Sequence, residues 1–596
     1  MEAIVAATEW IGGDPDPADR AALQALIDRA SGGDAAARAE LADAMAGPLV
    51  FGTAGLRGRV GAGRNRMNTA VVTTATAGLC TVLKQRLGPG FRVVIGYDAR
   101  HRSAQFARTV AQVVVAAGGR ASLLPRALPT PLLAFAVNRL AADAGVMITA
   151  SHNPPADNGY KVYLGPRLAP DGLPGAQLVE PVDRQIQAAI AAAGPASGVL
   201  VADLGPSDAA QAAQPSGGRP AGTSRSTSAA GFELLGEQIV ADYCAAAAEL
   251  LTDLRRRTGW TTGLAGLRVV LTAMHGVGTE VAARVLRGAG LTDLHLVAAQ
   301  CAPDPDFPTV AFPNPEEPGA LDLAIETART VDADLVVALD PDADRCSLAV
   351  PDAASPAGWR QLTGDQYGAL LGELIGLAHA GEQGSCLARS IVSGSLLDRI
   401  AERHGLSAAQ TLTGFKWIAR APGIVYGYEE AIGYCVNPEV VRDKDGITAA
   451  LAACLLAAEL KRAGSSLLAR WDELACKYGL YWTAPLSFRV REPALIEQGL
   501  ARLAAKPPQT LAGSPVIEFS DLAEGYRGLP PAKGYRLQTA ADDRVVVRPS
   551  GTEPKLKCYL EVVCPVADPA ALPAAERAAS ERIAQIKREL GELLGL

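Results

Sequence analysis

Short apolar runs rich in valine and isoleucine recur along the chain, separated by longer stretches in which alanine and leucine return at helical spacing. "FRVVIGYD", "AGVMIT", "LRVVLTAMHG", "ADLVVALD" and "GIVYGYEE" belong to the first kind and predict buried strands. "SAQFARTVAQVVVAAGG" and "TEVAARVLRGAG" belong to the second and predict helices, each stopped by glycine. This alternation argues for βαβ units with parallel or mixed sheets, an α/β fold class. Several of the strands end on polar, potentially reactive residues. Ligands of open α/β sheets bind beyond the carboxyl ends of strands, so these ends are where chemistry is to be sought.

The pattern breaks twice. Residues 194–230 are rich in Gly, Pro, Ser and Ala, and their middle has too little apolar surface to offset the entropy of ordering. About 205–230 therefore reads as a flexible insertion or linker, with "ELLGEQIVADYCAAAAELL" a helix after it. From about residue 481 the character changes again: "YWTAPLSFRV", "RVVVRPSG" and "KCYLEVV" predict strands ahead of a closing helix, a smaller α+β domain. A chain of 596 residues suggests roughly four domains at about 150 residues each. The expected divisions are 1–204, 231–354, 355–480 and 481–596, around the 205–230 insertion.

Composition narrows the function classes. A net charge of −7 gives no global basic field for nucleic acid or an acidic membrane, but leaves room for a local anion site built from a few cations. Ten cysteines, none in a C-x-x-C pair, suit free thiols in a reducing compartment. "MEAIVAATEW" has an acidic residue where a signal peptide would be positive, and the most apolar stretches, such as "ITAALAACLLAA", fall short of the ~18–20 residues of a membrane span. These observations lead to the expectation of a cytoplasmic protein without a membrane partner; oligomeric state is not readable.

Three constellations carry candidate chemistry. In "LDPDADRC", directly after an apolar strand, Asp340, Asp342 and Asp344 crowd three carboxylates that repel unless a cation or strong donors neutralise them, and hard oxygen ligands suit Mg²⁺. It is not an EF-hand loop, because Arg345 and Pro351 stand at its sixth and twelfth positions, where Gly and Glu are needed. Arg345 is instead placed to meet an anionic ligand. In "YGYEEAIG", Glu429 and Glu430 end a strand and can accept bonds from sugar hydroxyls. In "VVVRPSGTEPK", Arg548, Ser550, Gly551, Thr552 and Lys555 gather donors in a turn forced by Pro549 and Gly551, an anion nest without a P-loop sequence. Weaker candidates are Arg57 in the Gly-rich turn "FGTAGLRG", His275 at a strand end, Lys416 beside two aromatic residues in "TLTGFKWI", and "DKDGI" at 443–447, read as a helix start. "TASHNPPADNGYK" at 149–161 delivers Ser151 and His152 from the end of an apolar run into a Pro-stiffened turn.

Taken in order, "FGTAGLRG", "TASHNPPADNGYK", "LDPDADR", "GFKWI", "GYEEAIG" and "RPSGTEPK" resemble the α-D-phosphohexomutases, the phosphoglucomutase/phosphomannomutase superfamily, over nearly the whole chain. The resemblance implies four domains around a central cleft, three of mixed α/β type and a C-terminal one of α+β type. It implies that Ser151 is a phosphoryl carrier and that His152, Lys161 and Arg57 are active-site groups, with Lys161 an acid/base candidate. Asp340, Asp342 and Asp344 would hold Mg²⁺ together with Ser151. Arg345 and Arg57 would sit near the transferring phosphate, Glu429 and Glu430 on sugar hydroxyls with Lys416 nearby, and Arg548, Ser550, Gly551, Thr552 and Lys555 on the phosphate not being transferred. The expected substrate is a hexose phosphate, glucose or mannose, with a sugar 1,6-bisphosphate as primer. Where many members carry G-E-x-S-G, this chain has Ala431 and Ile432 in place of the serine and the last glycine, which keeps phosphopentomutase and sugar-bisphosphate synthase open as alternatives. A non-catalytic phosphosugar sensor is the remaining alternative, and a retained nucleophile and metal site speak against it.

Overall fold

The computed structural model describes residues 2–52, 55–205, 230–490, 492, 494–550 and 555–596. Nearly all of the 205–230 insertion lies outside these residues, as do Gly551 and Thr552. The chain forms two compact units: Met1–Leu250 with Arg268–Cys346 and Asn437–Leu451, and Leu251–Leu267 with Ser347–Val436 and Ala452–Leu596.

The first unit is built on a mixed sheet ordered Leu56–Arg59, Asp157–Leu164, Ala144–Ile148, Arg92–Tyr97, Arg120–Leu123, Phe232–Leu234. Its centre is parallel, as the unbroken apolar runs predict: Ala144–Ile148 is buried at every position. Helices Ser103–Ala116 and Thr130–Arg139 pack on it, and Thr69–Leu87 reaches it through a Thr76–Tyr160 hydrogen bond. A second, parallel set joins Arg268–Thr272 to Asp293–Leu296 and Leu335–Leu339. Ahead of them Glu2–Gly13, Pro17–Ser31 and Ala35–Ala44 close a small helical core around Leu23, Ile27 and Leu41.

In the second unit Cys386–Ser390 lies parallel to Ser407–Thr411 and Ile424–Glu429, with Gly433–Cys435 antiparallel at the edge. The C-terminal sheet is antiparallel throughout, ordered Leu480–Arg489, Lys555–Cys564, Arg544–Pro549, Tyr535–Thr539, Ser514–Asp521, Thr510–Leu511. The closing helix Leu572–Leu594 packs on it, the expected α+β character. Three α/β layers and one α+β layer make the four-domain fold.

Three local expectations need correction. The predicted helix from Glu233 begins only at Gln238, because Phe232–Leu234 pairs with Arg120–Leu123 as a sheet edge. Arg57 lies in a strand, paired with Gly159, and not in a turn: the glycines around it allow close backbone approach, and a Cβ at Gly55 would fall 2.4 Å from the Tyr160 carbonyl. Arg548 likewise belongs to the strand Arg544–Pro549 and Lys555 to the strand Lys555–Cys564, so these two donors stand in strands and not in a turn. "DKDGI" does start a helix: Asp445 accepts from the Ile447 and Thr448 amides ahead of Gly446–Arg462.

Candidate active site

Ser151 lies just past the buried strand Ala144–Ile148, in the loop leading to Asp157–Leu164. Its backbone is left-handed (φ +52°), a conformation that costs a non-glycine residue about 1–2 kcal/mol. Arg100 holds that geometry. Its buried guanidinium donates to the carbonyls of Ser151 and Asn153 at 2.6 Å each, Pro154 at 2.8 Å and Asp157 at 3.2 Å. Asp98 pairs with Arg100 at 3.4 Å and accepts from Thr149 Oγ1, which in turn accepts from the Ser151 amide. Phe307 covers the guanidinium, 5.1 Å from the ring centre. The serine hydroxyl, 1% exposed, donates to Asp340 Oδ2 at 2.6 Å and lies 3.4 Å from His152 Nδ1.

The acidic loop follows the buried strand Leu335–Leu339, and the Gly276 turn makes room for it: a Cβ there would fall 2.4 Å from Pro341. Asp340, Asp342 and Asp344 are buried, and each offers a carboxylate oxygen within 4.8 Å of the others, a group that could hold a metal ion. The charge is countered from elements far away in sequence. Lys161, opposite Met147 in the hairpin, places Nζ 2.8 Å from Asp342 and 3.0 Å from Asp344. Lys444 lies 3.4 Å from Asp344, and Thr130, opening the helix Thr130–Arg139, donates its hydroxyl to the Asp342 carboxylate and its amide to the Asp342 backbone carbonyl. Arg345 lies 3.6 Å from Asp344. Arg57 donates to Asn153 of the serine loop, and its buried Nε has no hydrogen-bond partner among the described residues.

These contacts set the protonation states. Burial disfavours the Lys161 ammonium, but Asp342 and Asp344 outweigh it and raise its pKa. Burial also pushes Asp342 up, yet Lys161 and the Thr130 hydroxyl hold it well below the carboxylate range. Asp340 is pushed well up, by burial first and then by Asp342 and Asp344, which Arg345 offsets only in part. His152 is held well below its ordinary value, by burial first and then by Arg345 and Arg57. Asp342 Oδ1 and Asp344 Oδ1 are buried without a hydrogen-bond partner among the described residues. Acceptors left over on an all-oxygen donor set fit a hard divalent cation.

The second unit carries the remaining expected residues. Glu429 ends the strand Ile424–Glu429 and Glu430 follows it. Glu430 Oε2 accepts from Ser393 Oγ at 2.9 Å and Ser390 Oγ at 3.2 Å. Burial first, then Glu429 and Asp365, raise its pKa to about 7. Arg548 donates to Thr413 Oγ1, which brings the "RPSG" strand to the "TLTGFKWI" turn. Lys416, in the helical turn Phe415–Ile418, stands over Trp417, and the Ser550 amide donates to the Lys555 carbonyl. His275, with Nε2 on Thr309 Oγ1, stays outside the two groups.

Sequence reasoning passed over Asp98, Arg100, Thr130, Lys444, Ser390 and Ser393. Asp98 and Arg100 follow the apolar run "FRVVIGY" as Ser151 follows "AGVMI", so the strand-end rule could have found them. Lys444 stood in a stretch valued only for its helix-capping aspartate.

Models of the phosphoglucomutase/phosphomannomutase family match in order: α/β/α domain I at residues 48–196, α/β/α domain II at 242–353, α/β/α domain III at 363–474, and the C-terminal domain at 532–579. A Haemophilus influenzae protein named "Probable phosphomannomutase" is 40% identical over 83% of this chain and 93% of its own length. The mouse phosphopentomutase is 31% identical over 98% of this chain and 92% of its own. The crystal structure of a Paramecium phosphoglucomutase, parafusin, in its open form superposes with a TM-score of 0.65 at 19% identity, covering 91% of this chain and 95% of that one. Among the described residues no helix is long and apolar enough to cross a membrane. Four matched domains in sequence and relatives above 30% identity along most of its length make the chain a member of the phosphoglucomutase/phosphomannomutase family, an intramolecular phosphotransferase.

Proposed function

We propose that the chain moves a phosphoryl group between O1 and O6 of a hexose phosphate, glucose phosphates foremost and mannose phosphates next, through a phosphorylated Ser151 and a sugar bisphosphate. The observation that carries this reading is the buried Ser151 hydroxyl, 2.6 Å from Asp340, at the edge of an acidic trio with leftover acceptors. An ordinary structural serine gains nothing from a strained backbone and a four-bond arginine clamp.

Each residue then has a task. The serine–phosphorus bond breaks as the sugar hydroxyl oxygen bonds to phosphorus, and the hydroxyl proton ends on the serine oxygen. His152, 3.4 Å from Oγ, is in reach to pass that proton. Lys161, Arg57 and Arg345 hold positive charge near the transferring group, and Arg57 Nε has a donor to spare. Asp340, Asp342, Asp344 and a Ser151 oxygen would hold Mg²⁺, which when bound supplies charge against the phosphoryl oxygens. The bisphosphate then turns and returns its other phosphate to Ser151, so the distant phosphate site must accept either end. Arg548, Ser550 and Lys555 are assigned there with Gly551 and Thr552, and Glu429, Glu430 and Lys416 to the sugar. A sugar 1,6-bisphosphate would load the serine in the first turnover.

Intact-mass analysis tests the carrier: wild-type protein treated with glucose 1,6-bisphosphate should gain one phosphoryl group, and Ser151→Ala should lose both this and mutase activity. An active Ser151→Ala would overturn the mechanism. One observation favours a pentose substrate, the Ala431–Ile432 departure in the sugar loop, in a chain 31% identical to the mouse phosphopentomutase. Comparing kcat/KM on ribose 1-phosphate and glucose 1-phosphate decides between them.

A further inference from the structure

Glu430 does not set its own position. Its Oε2 accepts from the hydroxyls of Ser390 and Ser393, which are 2.7 Å apart and fully buried, and its amide donates to Ser393 Oγ. The segment that presents these serines, residues 390–395, has no regular structure beyond its first residue, so something else must fix it.

Part of that hold is local, since Arg389 donates to the Ser390 and Ser393 carbonyls at 3.2 and 3.3 Å and Asp365 accepts from the Gly394 amide; the rest comes from the C-terminal sheet. Arg544, 4% exposed, donates to the carbonyls of Ile391 at 3.0 Å and Ser393 at 2.6 Å. Glu561, 1% exposed and 3.4 Å from Arg544, accepts from the Ser395 amide at 2.5 Å and the Ser395 hydroxyl at 2.6 Å. Ile391 and Val392 pack with Val546, Leu522 and Tyr526 in one apolar cluster. Alternate residues of a strand share a face, so Arg544, Val546 and Arg548 project together. All three meet the neighbouring layer: at the 391–393 segment, at its apolar side chains, and at Thr413. Two buried charges on a C-terminal domain, spent on backbone groups of one short segment, are more than adhesion requires, since Val546, Leu522 and Tyr526 already supply that.

We propose that Arg544 and Glu561 are positioning residues for sugar recognition: they fix the 390–395 segment, whose Ser390 and Ser393 hydroxyls fix the Glu430 carboxylate. Neither residue touches the sugar. The strand that carries the proposed phosphate ligand Arg548 at one end thus sets the sugar-reading carboxylate from its other end, so the C-terminal domain contributes to which sugar is accepted as well as to phosphate binding. The inference rests on the reading of Glu430 as a sugar ligand.

The test compares discrimination, which a merely structural role would not move. kcat/KM is measured for glucose 1-phosphate, mannose 1-phosphate, galactose 1-phosphate and ribose 1-phosphate with wild type, Glu430→Gln, Arg544→Met, Arg544→Lys, Glu561→Gln and the double variant Glu430→Gln/Arg544→Met. Leaving the Ile391 carbonyl without its charged donor, and the Ser393 carbonyl with Arg389 alone, should cut the ratio of preferred to second sugar on the order of tenfold in Arg544→Met. Arg544→Lys should recover part of it, and the double variant should be no worse than Glu430→Gln alone. If Glu430→Gln leaves the ratio unchanged, the reading of Glu430 falls and the proposal with it. If Glu430→Gln lowers the ratio while Arg544→Met and Glu561→Gln slow all sugars equally, or act additively with it, the proposal alone is overturned. Should Arg544→Met not fold, Arg544→Lys and Glu561→Gln make the same comparison.

Discussion

Replacing Arg100 by lysine asks whether the serine loop is held from outside or stands by itself. The left-handed Ser151 stores about 1–2 kcal/mol, so the loop needs an external hold of at least that size. Arg100 supplies four bonds to carbonyls spread over residues 151–157, and hydrogen bonds from a charged donor contribute about 1.5–3 kcal/mol each. A lysine keeps the charge beside Asp98, but one ammonium cannot span four carbonyls that a planar guanidinium reaches from two nitrogens. Losing two of the bonds removes roughly 3 kcal/mol from local order, which at about 1.4 kcal/mol per factor of ten speeds hydrogen exchange of the amides of residues 150–153, 156 and 157 by on the order of 100-fold. Global unfolding should change less, since the Asp98 pair survives. Misplacing the nucleophile by about 1 Å should also lower kcat on the order of 100-fold. Exchange mass spectrometry with steady-state kinetics reads both. Wild-type exchange in this loop together with wild-type kcat in Arg100→Lys would refute the clamp.

Two further outcomes follow from the buried carboxylates. Mg²⁺ at about 100 times its Kd should stabilise the native protein by about 2.7 kcal/mol, read as a shift in thermal unfolding, and Asp344→Asn should shrink that shift; an equal shift in the variant would move the metal elsewhere. For Glu430, raised to about 7 by burial first and then by Glu429 and Asp365, the native state keeps a proton between pH 4.5 and 7 that the unfolded state has released. Stability must therefore fall as pH rises through that window, by about 3.5 kcal/mol in all at ~1.4 kcal/mol per unit, and Glu430→Gln should flatten this part of the profile; an unchanged slope would show that the carboxyl is not held protonated.

The legible and illegible parts of this protein divide along a physical line. Strands such as Leu335–Leu339 and Ala144–Ile148 were readable because full burial on both faces demands a continuous apolar run, and that demand is local. The residues at their ends were readable for the same reason: Ser151 and the three aspartates are exceptions to an apolar pattern that breaks exactly where a ligand can approach. The Glu233 region was misread because a three-residue edge strand carries too little pattern to outvote the helical run after it. What stayed hidden is the balance of charge. Asp342 and Asp344 are tolerable in the interior only because Lys161 and Lys444 arrive from other elements, about 180 and 100 residues away, and nothing in either lysine's own neighbourhood marks it as half of a buried pair. The same holds for Arg100, whose partners are backbone carbonyls and so leave no trace in residue identity, and for Arg544, which acts on the sugar loop through another domain's main chain. A sequence shows the groups that meet a ligand, because they violate their surroundings; the groups that hold them in place obey theirs, and only the fold reveals that they are there for that purpose.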